Sequence, residues 1–537
     1  MSFKEVEESK MDEQYNWNLQ DIFENEEQFK KEKNEITKIL EKIKIYQGTL
    51  CKTSDNLYNC YKLYEQALEK FEKVYAYGML KYDLDMSNQE GIKLYKEVEN
   101  LETEFSVATS FITPEITYAD ESEIKKYVRE ERFKGYARDI NDILEKKKHV
   151  LSKEAENILA NYSEIFSAPE NTFDTMTNTE FKFGTLMNEN GEEVELTDST
   201  YSLYLKNKDI NVRRQAFNLM YKKYGEFINT ITEMYISNVK AKSTIAKLRK
   251  YNSSLEEEVD NDDVSLKVYE SLIETVNENI STNYKFVSLK KKMLNLQEIH
   301  MYDLYVNPCE QRKDEITFED AKREVLNALQ ILGKEYINKL EEAFNNNWID
   351  VYAKPNKKSG AYNMGVYGVH PFVLTNFVNS KRDVSTIAHE LGHSMHSYYS
   401  NKEQNVINAD YTIMVAEVAS TVNEILLSDY QIKTEKDNKK KAELLYELLE
   451  TIRNKLFTQA MFTEFEKIVH DKIENNVMLS SDDLNDIYYN LNKKYFGEDI
   501  VIDEQIKYKW AIIPHFYSDF YVYKYCTGVS SAIAIAS

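Results

Sequence analysis

Glycine and proline are scarce in this chain, 14 and 6 in 537 residues, too few for an all-β protein with many tight turns. Cysteine is scarcer still. Cys51, Cys60, Cys309 and Cys526 are scattered without a Cys-x-x-Cys spacing, which argues against a disulfide framework and for a reducing compartment. No uncharged apolar stretch is long enough to span a bilayer, and the opening MSFKEVEESKMDEQYNWN holds no apolar run that could serve as a signal peptide. The chain therefore reads as cytoplasmic, with no membrane partner. Basic residues are outnumbered, 68 Lys and Arg against 91 Asp and Glu, and the net charge of −23 argues against nucleic acid as a partner. Phosphate-binding glycine loops and dinucleotide fingerprints are missing, and no serine or cysteine stands in a recognisable nucleophile context.

What the chain has is helix. Leu57–Met86, Val264–Leu296 and Ala442–Val469 repeat apolar residues at three- and four-residue intervals among Lys and Glu, the pattern of amphipathic helices. Two places break the pattern. Around Asn190-Gly191, extended runs on either side predict a β-hairpin, because both turn residues tolerate positive φ. Between 355 and 392, four of the 14 glycines and two of the six prolines cluster, and Ala361–Val366 and Phe372–Phe377 read as strands. A small sheet there either offers an edge strand to a peptide or simply supports the helix that follows; the pattern leaves both open.

That helix carries the chemistry. Three of the 8 histidines fall within one short stretch, His389, His393 and His396, and the first two frame His389-Glu390-Leu391-Gly392-His393. Histidines at i and i+4 project from one helix face and can share a Zn²⁺, with the glutamate beside the metal as a general base. Asp383 is the expected N-cap, and Val384, Ile387, Leu391, Met395 and Tyr398 form the expected buried stripe. Gly392 costs about 1 kcal/mol relative to Ala inside a helix, so its presence predicts a close approach to the backbone.

Catalytic zinc takes three protein ligands and keeps one position open. His396 at i+7 is one candidate for the third, but three side chains leaving one rod in nearly parallel directions fit a tetrahedral shell poorly. A second helix, read over Tyr411–Tyr430, supplies a better one. Glu417 sits there in a nearly uncharged apolar run, where an ionised carboxylate is costly unless paired. Glu424, on the same face, can accept the outer N–H of a ligand histidine. His396 is then a pocket residue.

His-Glu-Leu-Gly-His followed by Ala416-Glu417-Val-Ala-Ser-Thr resembles the oligoendopeptidase F group of the thimet oligopeptidase family of zinc metallopeptidases. Trp17-Asn-Leu-Gln-Asp-Ile-Phe, the strand region Ser359 through Phe377, and Pro514-His515-Phe-Tyr through Gly528 are similar to other segments of that family. The resemblance implies a mainly α fold in which two helical lobes enclose a deep channel, with a small β-sheet next to a zincin-type metal helix. It implies one Zn²⁺ per chain on His389, His393 and Glu417, Glu390 as base, and hydrolysis of short peptides at internal bonds. It also implies that His515, Tyr521 and Tyr523 are hydrogen-bond donors to the reacting carbonyl, with Tyr517 able to take the place of Tyr521. Most of the eight aromatics between Tyr508 and Tyr525 are expected in the core.

The chain then divides into an N-terminal helical region (1–110), a helical lobe (111–180) and a zinc peptidase catalytic region (181–537). Family members continue through further helices beyond the apolar run Val529–Ala536, so a shortened carboxy-terminal end is also expected. Two rivals remain: a zinc carboxypeptidase with the same helix motif, and a metal-free helical interaction protein, against which the intact Glu390 argues.

Overall fold

The structure, a computed structural model, describes residues 15–309 and 315–537, so most of the opening segment read for a signal peptide lies outside the described residues. The fold is mainly α, with three small sheets among the described residues. Its compact units are discontinuous along the chain. One comprises Met1–Lys148, Arg312–Thr434 and Ala532–Ser537, the other His149–Gln311 and Glu435–Ser531. The three consecutive segments drawn from the sequence run along the chain and do not coincide with these units. No helix among the described residues is long and apolar enough to cross a membrane.

In the first unit, Glu26–Lys44, Ser54–Leu84 and Gln89–Thr109 are helices whose N-caps Asn25, Thr53 and Asn88 each accept hydrogen bonds from first-turn backbone amides. Ile36, Leu40, Leu57, Val74, Leu80, Leu94 and Val98 face inward and form one core cluster. A second core joins Phe318–Ala328, Lys334–Asn345 and the two helices of the metal motif.

The sheet before the metal helix has three strands, one more than the sequence suggests. Phe372–Phe377 lies in the middle, antiparallel to Tyr362–Met364 and parallel to Ile349–Tyr352. The additional strand carries Asp350, fully buried, which receives Lys357 Nζ at 2.6 Å and Lys354 Nζ at 2.9 Å. Trp17 Nε1 donates to Val373 O at 2.8 Å and lies 3.1 Å from Trp348 O, tying the amino-terminal segment to this sheet. Tyr362–Met364 is an edge strand fastened to the metal helix. Ser394 Oγ donates to Asn363 Oδ1 at 2.7 Å, and Asn363 Nδ2 donates to Ser397 Oγ at 3.2 Å.

The second unit has its own core around Phe217, Met220, Tyr235, Phe465, Tyr488 and Trp510. The expected hairpin is there: Thr185–Met187 pairs with Glu193–Glu195. Only Gly191 takes positive φ (+77°); Asn190 does not, and the turn is instead held by the Asn188 side chain, which accepts from the amides of Asn190 and Glu192. Two long helices read from the sequence are interrupted. Val264–Leu296 resolves into Leu266–Glu278 and Ser281–Met293. Ala442–Val469 spans a helix ending at Ile452, a π-helical turn at Arg453–Thr458, and the helix Gln459–Glu474.

Candidate active site

The metal helix runs Lys381–Glu403. Its N-cap is Ser380 rather than Asp383, which stands three positions later and accepts the amides of Val378 and Ser380 on its carboxylate at 2.9 and 2.8 Å. An acid in a capping box and an acid at the N-cap give nearly the same local sequence pattern. Val384, Ile387, Leu391 and Met395 are buried as expected, and Tyr398 is half-buried against the same core.

The second helix runs Ile413–Thr434 and crosses the first at Gly392. A Cβ on Gly392 would lie 2.6 Å from Ser420 Cα and 2.8 Å from Ala419 O, so the two backbones meet where a side chain would stand. Asn423 secures the crossing by donating to Ala388 O at 3.0 Å. The helices run antiparallel here, bringing His389 beside Glu424 and His393 beside Glu417.

His389 Nδ1 lies 2.5 Å from Glu424 Oε1. That contact places the ring proton on Nδ1 and leaves the lone pair on Nε2, which is 3.1 Å from His393 Nε2. Ligand nitrogens of one tetrahedral zinc lie at a similar separation, about 3.3 Å. Glu417 Oε1 stands 4.0 Å from His393 Nε2, and the ligand atoms of His389, His393 and Glu417 all lie within 4.8 Å of one another. The donor set fits zinc. His396 is outside it, its ring stacked on Tyr411 at 3.7 Å. Glu417 is less enclosed than its apolar neighbours suggest, with its side chain 32% exposed and Ile413 and Val415 exposed nearby.

Burial sets the charge states. It pushes His393 down to about 4, helped by the His389 and His396 rings, so its imidazole is neutral and able to ligate near neutrality. It also pulls His389 down, but Glu424, Glu390 and Glu417 together outweigh it and hold that ring above its ordinary value. Glu390 is buried, and burial raises its carboxyl to about 7 against the opposing pull of His389.

The carboxy-terminal candidates belong to the second unit. His515 is exposed, and its ring lies 5.6 Å from Tyr521 and 6.1 Å from Tyr525. Tyr517 is in the core, stacked on Phe173 at 4.8 Å. Tyr523 is fully buried, and its hydroxyl donates to Asp262 Oδ2 at 2.6 Å. Trp510, Phe516 and Phe520 are buried too.

The sequence model of Peptidase family M3 matches residues 203–537, and that of Oligopeptidase F matches residues 115–183. The chain belongs to peptidase family M3.

Among its relatives is Oligopeptidase PepF of Bacillus subtilis, 36% identical over 522 residues that cover 97% of this chain and 78% of that protein. The crystal structure of a candidate peptidase from Chlamydophila abortus superposes with a TM-score of 0.92, at 32% identity, covering 98% of this chain and 89% of that one. Oligoendopeptidase-F from Enterococcus faecium is likewise 32% identical, with a TM-score of 0.69 over 95% of this chain and 87% of that one. This M3 member is thus a metallopeptidase of the oligoendopeptidase F group, and M3 enzymes are zinc metallopeptidases. Two residues that hold the candidate segments in place escape sequence reasoning. Asn423 locks the helix crossing, and its signal is an amide in an apolar helix; Asp262, which holds Tyr523, is 261 positions away and gives no signal.

Proposed function

We propose that this chain is a zinc-dependent endopeptidase that hydrolyses internal bonds of short peptides. His389, His393 and Glu417 would hold one Zn²⁺, and Glu390 is the general base. The observation that carries the reading is the convergence of His389 Nε2 and His393 Nε2 at 3.1 Å, with the buried Glu390 on the same helical turn. When bound there, zinc supplies a Lewis acid that polarises the scissile carbonyl and makes a coordinated water acidic.

The remaining work falls to the chain. Glu390 takes a proton as the water oxygen bonds to the carbonyl carbon, then delivers it to the nitrogen as the C–N bond breaks, so the amine leaves neutral and the base is regenerated. A buried carboxylate held on the same helical turn as the ligand histidines is placed for both transfers. Glu424 holds the His389 ring in its ligating tautomer. The edge strand Tyr362–Met364, bound to the metal helix through Asn363, offers backbone groups along which an extended peptide can pair.

His515 and Tyr521 serve as donors to the oxyanion in this reading; His515 is exposed and Tyr521 half-buried. For Tyr523 to join them, its hydroxyl must first leave Asp262.

Digestion of a mixed peptide pool, read by mass spectrometry with and without a chelator, tests the proposal. Peptides blocked at both termini should be cut internally, the cutting should stop on chelation, and added Zn²⁺ should restore it. Cleavage confined to free carboxy-termini would overturn the endopeptidase reading, and chelator-resistant cleavage the metal.

A further inference from the structure

The second unit contains another cluster of metal-ligating side chains, outside the metal helix and unused by the proposed reaction. Glu466 and His470 are four residues apart on the helix Gln459–Glu474, and Asp519 precedes the final helix. Their ligand atoms all lie within 4.8 Å of one another. The three residues are only 0%, 1% and 8% exposed.

Each side chain has one polar atom engaged and one buried without a hydrogen-bond partner. Glu466 Oε1 accepts the Phe520 amide at 2.6 Å, and Asp519 Oδ1 accepts Asn238 Nδ2 at 3.1 Å. His470 Nδ1 lies 2.9 Å from Ser254 Oγ. Glu466 Oε2, Asp519 Oδ2 and His470 Nε2 are buried and have no hydrogen-bond partner. Unpaired buried atoms of this kind cost about 1–3 kcal/mol each, and three of them on side chains whose ligand atoms converge call for a partner.

The histidine is set in its ligating tautomer. Ser254 Oγ stands 2.6 Å from Glu474 Oε1, so its single proton goes to that carboxylate. The hydroxyl oxygen then accepts the His470 Nδ1 proton, which leaves the Nε2 lone pair facing the carboxylates, 4.0 Å from Asp519 Oδ1. Glu474 and Ser254 thus stand to His470 as Glu424 stands to His389.

We propose that Glu466, His470 and Asp519 form a second site for a divalent cation of the zinc class, structural rather than catalytic. One nitrogen and two carboxylate oxygens suit such an ion, and its charge balances the two carboxylates. The enclosure leaves no access for a peptide. An ion there joins the helix Gln459–Glu474 to the Asp519-Phe520 turn, where Phe520 holds a φ of +51°, an uncommon conformation for a bulky residue. Tyr521 and Tyr523 follow that turn directly, so the ion fixes the segment that bears the candidate donors.

Metal counting on the full chain, stripped with chelator, reloaded with Co²⁺ or Zn²⁺ and dialysed, tests the site. Wild type should retain two equivalents. A His389→Ala/His393→Ala chain should retain one, with a visible Co²⁺ spectrum and an unfolding temperature that Co²⁺ raises. Glu466→Gln/Asp519→Asn should retain one, chelated by the metal helix, and should lose the spectral component seen in the helix variant. One equivalent in wild type and none in the His389→Ala/His393→Ala chain would overturn the proposal, the result expected if a water or shared protons occupy the cluster. Because that chain lacks the metal helix ligands, its outcome is independent of the catalytic zinc and decides the matter even if the carboxylate variants fail to fold.

Discussion

Gly392 and Ser420 meet without a side chain between them: a Cβ on the glycine would sit 2.6 Å from the serine Cα. Both belong to helices, so neither backbone can turn aside alone. Gly392→Ala therefore pits two effects against each other. Alanine gains about 1 kcal/mol of helix propensity, while forcing an atom into a filled contact costs about 1–3 kcal/mol. Overpacking wins at this distance, and separating the helices also pulls Glu417 and Glu424 from their histidines. A lowered Tm together with weaker zinc retention against a chelator is the expected result. A raised Tm would show that the crossing tolerates the methyl group.

Glu424 meets the outer nitrogen of His389 at 2.5 Å. Glu424→Gln can keep a hydrogen bond but loses the negative charge that favours the ligating state. Zinc affinity should fall by about 10–100-fold, the usual effect of removing such a partner, while the fold is retained. Competition with a coloured chelator measures it. Unchanged affinity would mean that His389 is held by packing rather than by the carboxylate.

Glu390 separates chemistry from metal binding. It is buried beside both ligand histidines yet is not part of the group His389, His393 and Glu417. Glu390→Gln should keep one catalytic zinc and lower kcat by at least about 10²–10⁴-fold, the range for removal of a positioned acid–base group. Loss of zinc in this variant would instead place the residue among the ligands.

What the sequence makes legible follows from the range of each interaction. The pair His389 and His393, Glu390 between them and the buried stripe from Val384 to Met395 all fall within a few turns of one helix, so spacing alone brings them together. Gly392 is legible as an anomaly, and the structure supplies the Ser420 backbone as its cause. The strand Ile349–Tyr352 is hidden because it pairs with Phe372–Phe377 more than 20 residues on and buries an acid, Asp350, whose lysine partners cannot be inferred locally. The breaks near Asn279 and at Arg453–Thr458 are hidden because apolar periodicity continues across them. Asp262 is hidden from Tyr523 by the 261 residues between them.

The tyrosines of the carboxy-terminal segment can be told apart by their surroundings. Tyr523 is fully buried and its hydroxyl donates to Asp262, which also receives Lys524 Nζ at 2.9 Å. Tyr521 is half-buried beside His515. Tyr523→Phe removes a buried charge-assisted hydrogen bond, costing about 1.5–3 kcal/mol of stability, softened because Lys524 still pairs with the acid. Tyr521→Phe removes a donor to the oxyanion and should cost kcat about 10²–10³-fold with little change in Tm. Comparing kcat and Tm for the two variants resolves their roles. If Tyr523→Phe lowered kcat as far as Tyr521→Phe did at equal Tm, the Asp262 contact would have to open during turnover; if Tyr521→Phe left kcat unchanged, its donor role would fail.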